Sequence, residues 1–205
     1  MGRGQTPKLG VHSEKWTEIR HAAFIWLFLD SAIRFARFMH SIVIMGVSGC
    51  GKSSLGEAVA LATGLPLVEG DHYHSTANRD KMARGIALTD VDRADWLATL
   101  GAQLQARPAG AVVTCSALKR AYRNRLRQAA PNLRFVFLEI GKAEALARVG
   151  ARAAHFFSTS LVDNQFATLE SPVGEAGVLR LDATLPLAQL QTMVTEWLSA
   201  TQEPA

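Results

Sequence analysis

Gly46-Val47-Ser48-Gly49-Cys50-Gly51-Lys52-Ser53 decides how this chain is read, because it fits the pattern GxxxxGK[ST]. Its neighbours are those the pattern requires. Ile42-Val43-Ile44-Met45 ahead of it is short, apolar and rich in β-branched residues, while Ser53 to Leu61 behind it has the composition of a helix. The order strand, glycine loop, helix predicts a phosphate-binding loop. Its glycines let successive backbone N–H groups turn inward onto phosphate oxygens, and the helix start adds the positive end of its dipole. Lys52 is placed to reach the β- and γ-phosphates, the Ser53 hydroxyl to ligate Mg²⁺, and Ser54 continues the first helical turn. On average composition the four fixed positions coincide by chance in about 1% of chains this long, which sets aside a glycine-rich turn that binds nothing.

A length of 205 residues suits one domain with an appendage, and 48% apolar residues are ample for a buried core. The net charge of +4 is unevenly spread. Residues 1–38 hold six basic and three acidic residues, which leaves sixteen against fifteen in the remainder. A near-neutral main body argues against a broad nucleic-acid footprint. The two cysteines, Cys50 in the loop and Cys115 in an apolar run, cannot make a disulfide framework and fit a reducing, cytoplasmic setting.

Ala22 to Leu29 is strongly apolar but spans eight residues before Asp30, where a bilayer span needs about twenty. No membrane span is expected, and no secretory signal, since Arg34 and Arg37 follow in place of a small-residue cleavage site. Residues 16–38 have two readings, an amphipathic helix lying on a membrane or on the protein's own surface, or upstream sequence translated from an early start. The second is preferred, because the strand, loop and helix are complete from Met39. The expected division is an extension at 1–38 and a phosphate-loop domain at 39–205.

Downstream, Gly64 caps the first helix and Leu65 to Glu69 reads as a second strand that delivers Gly70-Asp71. Carboxyl ends of parallel strands are where open α/β sheets bind ligands, so Asp71-His72-Tyr73-His74 is well placed for substrate. A zinc site there is weakly supported, for want of a further ligand at zinc spacing. Asn78 to Arg84 is helical in pattern, and Asp90 or Asp92 is expected to cap a helix carrying Trp96, Leu97, Leu100 and Leu104. Ala111 to Cys115 is a buried strand. After it comes a basic helix in which Lys119, Arg120 and Arg123 form either a solvated face or an anion-binding set. Leu133 to Leu138 is the next strand. Arg148 and Arg152, four apart on the following helix, share a face and border an unpatterned stretch, His155 to Leu161. That juxtaposition suits a flap closing on phosphates, with a solvated arginine pair as the alternative. A last strand, Val178 to Leu181, and a helix from Leu185 to Leu198 complete an alternation that predicts an α/β fold, a five-stranded parallel sheet with helices on both faces and a small lid.

Four blocks together resemble the gluconate kinases, a family of small phosphate-loop kinases: GVSGCGKSS at 46–54, GDHYHSTANRDKMARGIALTDVDRADWL at 70–97, CSALKRAYRNRLR at 115–127 and HFFSTSLVDNQFATLESP at 155–172. The resemblance implies phosphoryl transfer from ATP, with Mg²⁺, to the 6-hydroxyl of D-gluconate. It places Asp71, His74, Asn78, Lys81, Arg93, Lys119, Arg123, His155 and Gln165 at substrate-side motif positions, and Lys52, Asp71, Arg148 and Arg152 in catalysis. It also leaves a homodimer open, such kinases often being dimers. Departures are Ser75 and Ser158 where the family usually has proline, and Asn124 and Asn164 for a usual Asp and Ser. Losing two prolines is expected to loosen the acceptor and lid loops by roughly 0.4–1 kcal/mol per site. A kinase for another small metabolite, shikimate-like or a nucleoside monophosphate, and a nucleotide-dependent switch without turnover stay open as rival readings. Against a guanine-reading switch, no Asn/Thr-Lys-x-Asp stretch stands in the later strands.

Overall fold

The computed structural model describes Met1 and residues 40–151 and 159–200, and the fold below is that of the unit spanning Arg37–Ala205. Five strands, β1 (Ile42–Met45), β2 (Leu67–Glu69), β3 (Val112–Thr114), β4 (Arg134–Glu139) and β5 (Val178–Asp182), form one sheet in the order β2-β3-β1-β4-β5. Every pairing is parallel, with Ile42 opposite Val112 on one side and Arg134 on the other. Among the described residues seven α-helices accompany them: α1 (Lys52–Thr63), α2 (Thr76–Ala83), α3 (Asp90–Gln105), α4 (Arg120–Ala129), α5 (Lys142–Gly150), α6 (Thr159–Thr168) and α7 (Leu187–Ala200).

The edge strand β5 is only partly buried, whereas β1, β3 and the middle of β4 are buried on both faces and read as largely apolar runs, as parallel strands do. Their period of two sends alternate residues into two cores. Ile42, Ile44, Val112, Val136 and Leu138 meet Leu55 and Val59 of α1 and Leu190, Val194 and Leu198 of α7. Val43, Met45, Val113, Phe135 and Phe137 meet Trp96, Leu97 and Leu100 of α3 and Leu126 of α4. The first strand, β1, lies in the middle of the sheet with two strands on either side, which leaves a crevice beyond its carboxyl end.

Local detail departs from the sequence expectations at three places. The residue capping α3 is Thr89, not Asp90 or Asp92: its hydroxyl accepts from the Asp92 N–H while the Asp92 carboxylate accepts from the Thr89 N–H, a reciprocal capping box. The stretch expected as a flap is helical from Thr159 onward, with Leu161 and Val162 buried. Ser75, expected to loosen its loop, caps α2 by accepting from the Asn78 N–H at 3.2 Å. A serine cap stabilises by about 1 kcal/mol, which offsets what the missing proline would have contributed. Arg152, His155, Ser158 and the extension from residue 2 to Met39 lie outside the described residues.

Candidate active site

The phosphate loop follows β1 directly. Gly46, Gly49 and Gly51 adopt φ of 138°, 86° and 95°, a region that side chains avoid. A Cβ at Gly46 would lie 2.7 Å from the Leu138 carbonyl oxygen, and one at Gly49 would lie 2.7 Å from that of Ala145. Val47 and Cys50 are buried beneath the loop and anchor it to the core. Gly51 caps α1 without a side-chain oxygen, and the first turn carries no acid, so the first N–H groups of the helix remain open to an anion. The donor set fits a nucleotide's phosphates, and the exposed Ser53 hydroxyl in that turn fits a Mg²⁺ ligand. Lys52 Nζ donates to the carbonyl oxygens of Gly46 and Val47, at 3.1 and 3.0 Å, and so lies along the loop it serves.

The second wall is built from the end of β2. Gly70 is fixed by sterics, since a Cβ there would come within 2.0 Å of the Thr114 carbonyl oxygen. Its N–H donates to the Thr114 hydroxyl at 3.1 Å, that hydroxyl donates to Glu69, and Trp96 Nε1 donates to the Gly70 carbonyl at 2.8 Å. The turn that follows therefore leaves β2 at a set angle, with Asp71 exposed beside the phosphate loop and His74 turned inward. His74 is buried and stacks on Trp96, with centroids 4.3 Å apart and planes 15° apart. Its Nε2 lies 4.0 Å from Asp71, and its buried Nδ1 has no protein partner. Burial lowers the His74 pKa; the Asp71 charge opposes this, and Arg93 and Arg79 add to it.

Lys52, Ser48, Asp71, His74, Arg93 and Gln165 line one cleft, walled on its apolar side by Met82, Leu88, Trp96 and Leu161. Gln165 arrives from α6, and its Oε1 accepts the Ser48 N–H at 2.6 Å. Six of the residues singled out in the sequence thus meet in one place. Leu88 and Leu161 complete its wall without having been singled out as binding residues, because an apolar wall residue has no sequence signature distinct from core.

The remaining candidates sit elsewhere. Asn78 is buried and donates from Nδ2 to the Asp92 carbonyl at 2.7 Å, tying α2 to α3. Lys81 is closed on Asp92 at 2.6 Å, and with the Thr89 N–H and hydroxyl it holds the Asp92 carboxyl at about 2. Lys119 is closed on Asp90 at 2.8 Å, where Tyr122 also donates. Arg123, expected on an anion-binding face, has a wholly buried side chain: it donates to the carbonyls of Ala117 and Leu118 and pairs with Glu175 at 2.5 Å. Neither Arg123 nor Lys119 lines the cleft. Arg148 also stands outside it, donating to Glu144 at 2.7 Å and to the Ala183 carbonyl at 3.0 Å. Cys115, at the end of β3, is pushed up to about 12 by burial and is chemically inert. Among the described residues, no three His, Cys, Asp or Glu side chains gather as a metal cage, and no helix is long and apolar enough to cross a membrane.

A family model described as an AAA domain matches residues 42–172. The chain is 43% identical over 144 residues to the gluconokinase of Gluconobacter oxydans (strain 621H), an alignment covering 68% of this chain and 80% of that protein. It is 40% identical over 152 residues to the thermoresistant gluconokinase of Escherichia coli (strain K12), covering 72% and 87%. The crystal structure of a gluconokinase from Sinorhizobium meliloti 1021 superposes with a TM-score of 0.72 at 45% identity, over 82% of this chain and 99% of that one.

Proposed function

This chain belongs to the gluconokinase family, and from that membership we infer that it transfers the γ-phosphoryl group of ATP to the 6-hydroxyl of D-gluconate, giving 6-phospho-D-gluconate and ADP. The observation that carries the reading is the single cleft in which phosphate-loop groups, Ser48 and Lys52, face acceptor-side groups, Asp71, His74 and Arg93. Phosphoryl transfer asks little covalent chemistry of the protein; it asks for positioning and for compensation of charge.

Each residue then has a task. Gly46 to Ser54 cradles the phosphates with backbone N–H groups, and Lys52 leaves the loop carbonyls to follow the transferring oxygens. The Ser53 hydroxyl would hold Mg²⁺, which would supply compensation of the phosphate charge. The Asp71 carboxylate accepts a hydrogen bond from the acceptor hydroxyl. As that oxygen bonds to phosphorus and the bond to the ADP oxygen breaks, the hydroxyl proton passes to Asp71 and on to solvent. His74, neutral and with one ring nitrogen unclaimed by the protein, offers a hydrogen bond to another hydroxyl of the sugar acid. Lys81, Lys119, Asn78 and Arg123 act behind the site by holding α2, α3 and the 117–119 turn. With both cysteines unpaired and buried, the reading places the enzyme in the cytoplasm, on its small-molecule substrates.

The test is ADP release with D-gluconate, shikimate and nucleoside monophosphates in parallel. Release with gluconate alone is expected; release with shikimate or a nucleoside monophosphate but not gluconate overturns the reading. Asp71→Asn should abolish transfer while leaving ATP affinity nearly unchanged. A strong loss of ATP·Mg²⁺ affinity instead would move Asp71 to the metal.

A further inference from the structure

The motif-borne cations around the cleft differ in one respect. Lys81 is closed on Asp92, Lys119 on Asp90 and Arg123 on Glu175. Among the described residues two cations line the cleft itself, Lys52 and Arg93. Lys52 belongs to the phosphate loop. Arg93 is buried at 8% exposure, yet among the described residues it has no carboxylate partner. One guanidinium nitrogen donates to the Leu88 carbonyl, and the group stands 5.8 Å from the centre of the Tyr122 ring. Those two contacts fix its plane without neutralising it.

A guanidinium held out of water needs a counter-charge, and its fork of N–H groups matches a carboxylate in shape as well as sign. The other charges facing it limit the choice. Asp71, on the same cleft, is largely exposed and lies with His74 beside the phosphate loop. Asp90 is spent on Lys119 and Tyr122. Wall residues Met82, Leu88 and Leu161 would exclude water from an ion pair formed there, which strengthens it.

We propose that Arg93 receives the carboxylate of the sugar acid, so that the substrate lies with its hydroxyl end at Asp71 and its acid end on Arg93, and that this residue makes the enzyme select an acid over a neutral polyol. The proposal rests on the sugar-acid reading above and assigns its charge-reading residue. A site built for a charged group discriminates because an uncharged analogue leaves the buried cation unpaired.

The experiment compares kcat/KM for D-gluconate with that for D-gluconamide, which keeps every hydroxyl and lacks the charge, in wild type, Arg93→Met and Arg93→Lys. Calorimetric ATP affinity serves as a check on the folded nucleotide site. Wild type is expected to prefer gluconate by roughly 100-fold or more, in keeping with the loss of a buried, hydrogen-bonded charge pair. Arg93→Met should lose most of that preference, by a fall in activity on gluconate with little change on the amide, and bind ATP within about threefold of wild type. Arg93→Lys keeps the charge without the fork and should fall between; it decides the matter alone if the methionine variant does not fold. A preference undiminished from wild type in either folded variant overturns the proposal, as does a wild type indifferent to the charge. A wild type inactive on both compounds overturns the sugar-acid reading itself.

Discussion

Glu175→Gln is expected to be among the most damaging conservative changes in this protein, although Glu175 is far from the cleft in sequence and takes no part in chemistry. The Arg123 side chain is 0% exposed and that of Glu175 10%. Arg123 Nη2 donates to Oε1 at 2.5 Å, and Nε donates to the two carboxylate oxygens at 3.2 and 3.1 Å. Arg127 adds a bond to Oε2 at 2.9 Å. Removing one partner of a buried pair strands the other charge, a loss of about 3–5 kcal/mol. Glutamine keeps one accepting oxygen in place, so the lower end, about 3 kcal/mol, is the figure to test. At roughly 2–4 °C per kcal/mol for a chain this size, the melting temperature should fall by about 6–12 °C. The loss should be strongly coupled to Arg123→Met, the double variant being much less damaged than the sum of the singles. It should also fade in acid. Burial pushes the Glu175 carboxyl up, but hydrogen bonds from Arg123 and Arg127 outweigh it and leave the folded value below the ordinary one. A carboxyl so depressed stabilises above its unfolded pKa of about 4.3 and loses that contribution as pH falls towards the folded value. The wild-type advantage should therefore shrink below about pH 4. Urea unfolding at neutral and acid pH measures all of this. A neutral-pH loss under about 1 kcal/mol would refute the reasoning, because it would mean that Arg123 is solvated or balanced in some other way.

Lys52→Met should leave the fold intact and lower turnover by about 100-fold or more; activity within threefold of wild type, measured by ADP release, would remove Lys52 from the mechanism. Burial lowers the His74 pKa, so the unfolded chain takes up its proton first, near pH 6.5, as the solution is acidified. Stability should therefore drop as pH falls below about 6.5, and His74→Gln should flatten that part of the urea-midpoint profile; an unchanged slope would show that His74 is not the group responsible. A chain starting at Met39 should fold and phosphorylate gluconate normally, since the strands and phosphate loop described here begin after it; aggregation or lost activity would make the preceding residues part of the working core.

What the sequence determined by itself was whatever depends on near neighbours. The apolar runs of β1 and β4, the glycines at 46, 49 and 51 that permit positive φ, and the alternation of strand and helix each follow from residues within a few positions of one another. They were enough to predict the parallel sheet, the phosphate loop and the rim on which Asp71 and His74 stand. Ser75 shows the limit even there, because a cap and a missing proline act on the same loop with opposite sign and only the geometry tells which prevails. The partners of the charges were decided by tertiary structure. Lys119, Arg123 and Arg93 look alike in a sequence, three cations near motif positions. In the fold one meets Asp90 across 29 positions, another meets Glu175 across 52, and the third meets no carboxylate among the described residues. Gln165 reaches Ser48 across 117 positions for the same reason. A charged side chain's role is fixed by what the packing of distant helices leaves beside it and by how much water that packing removes. Neither quantity is written in the residues next to it in the chain.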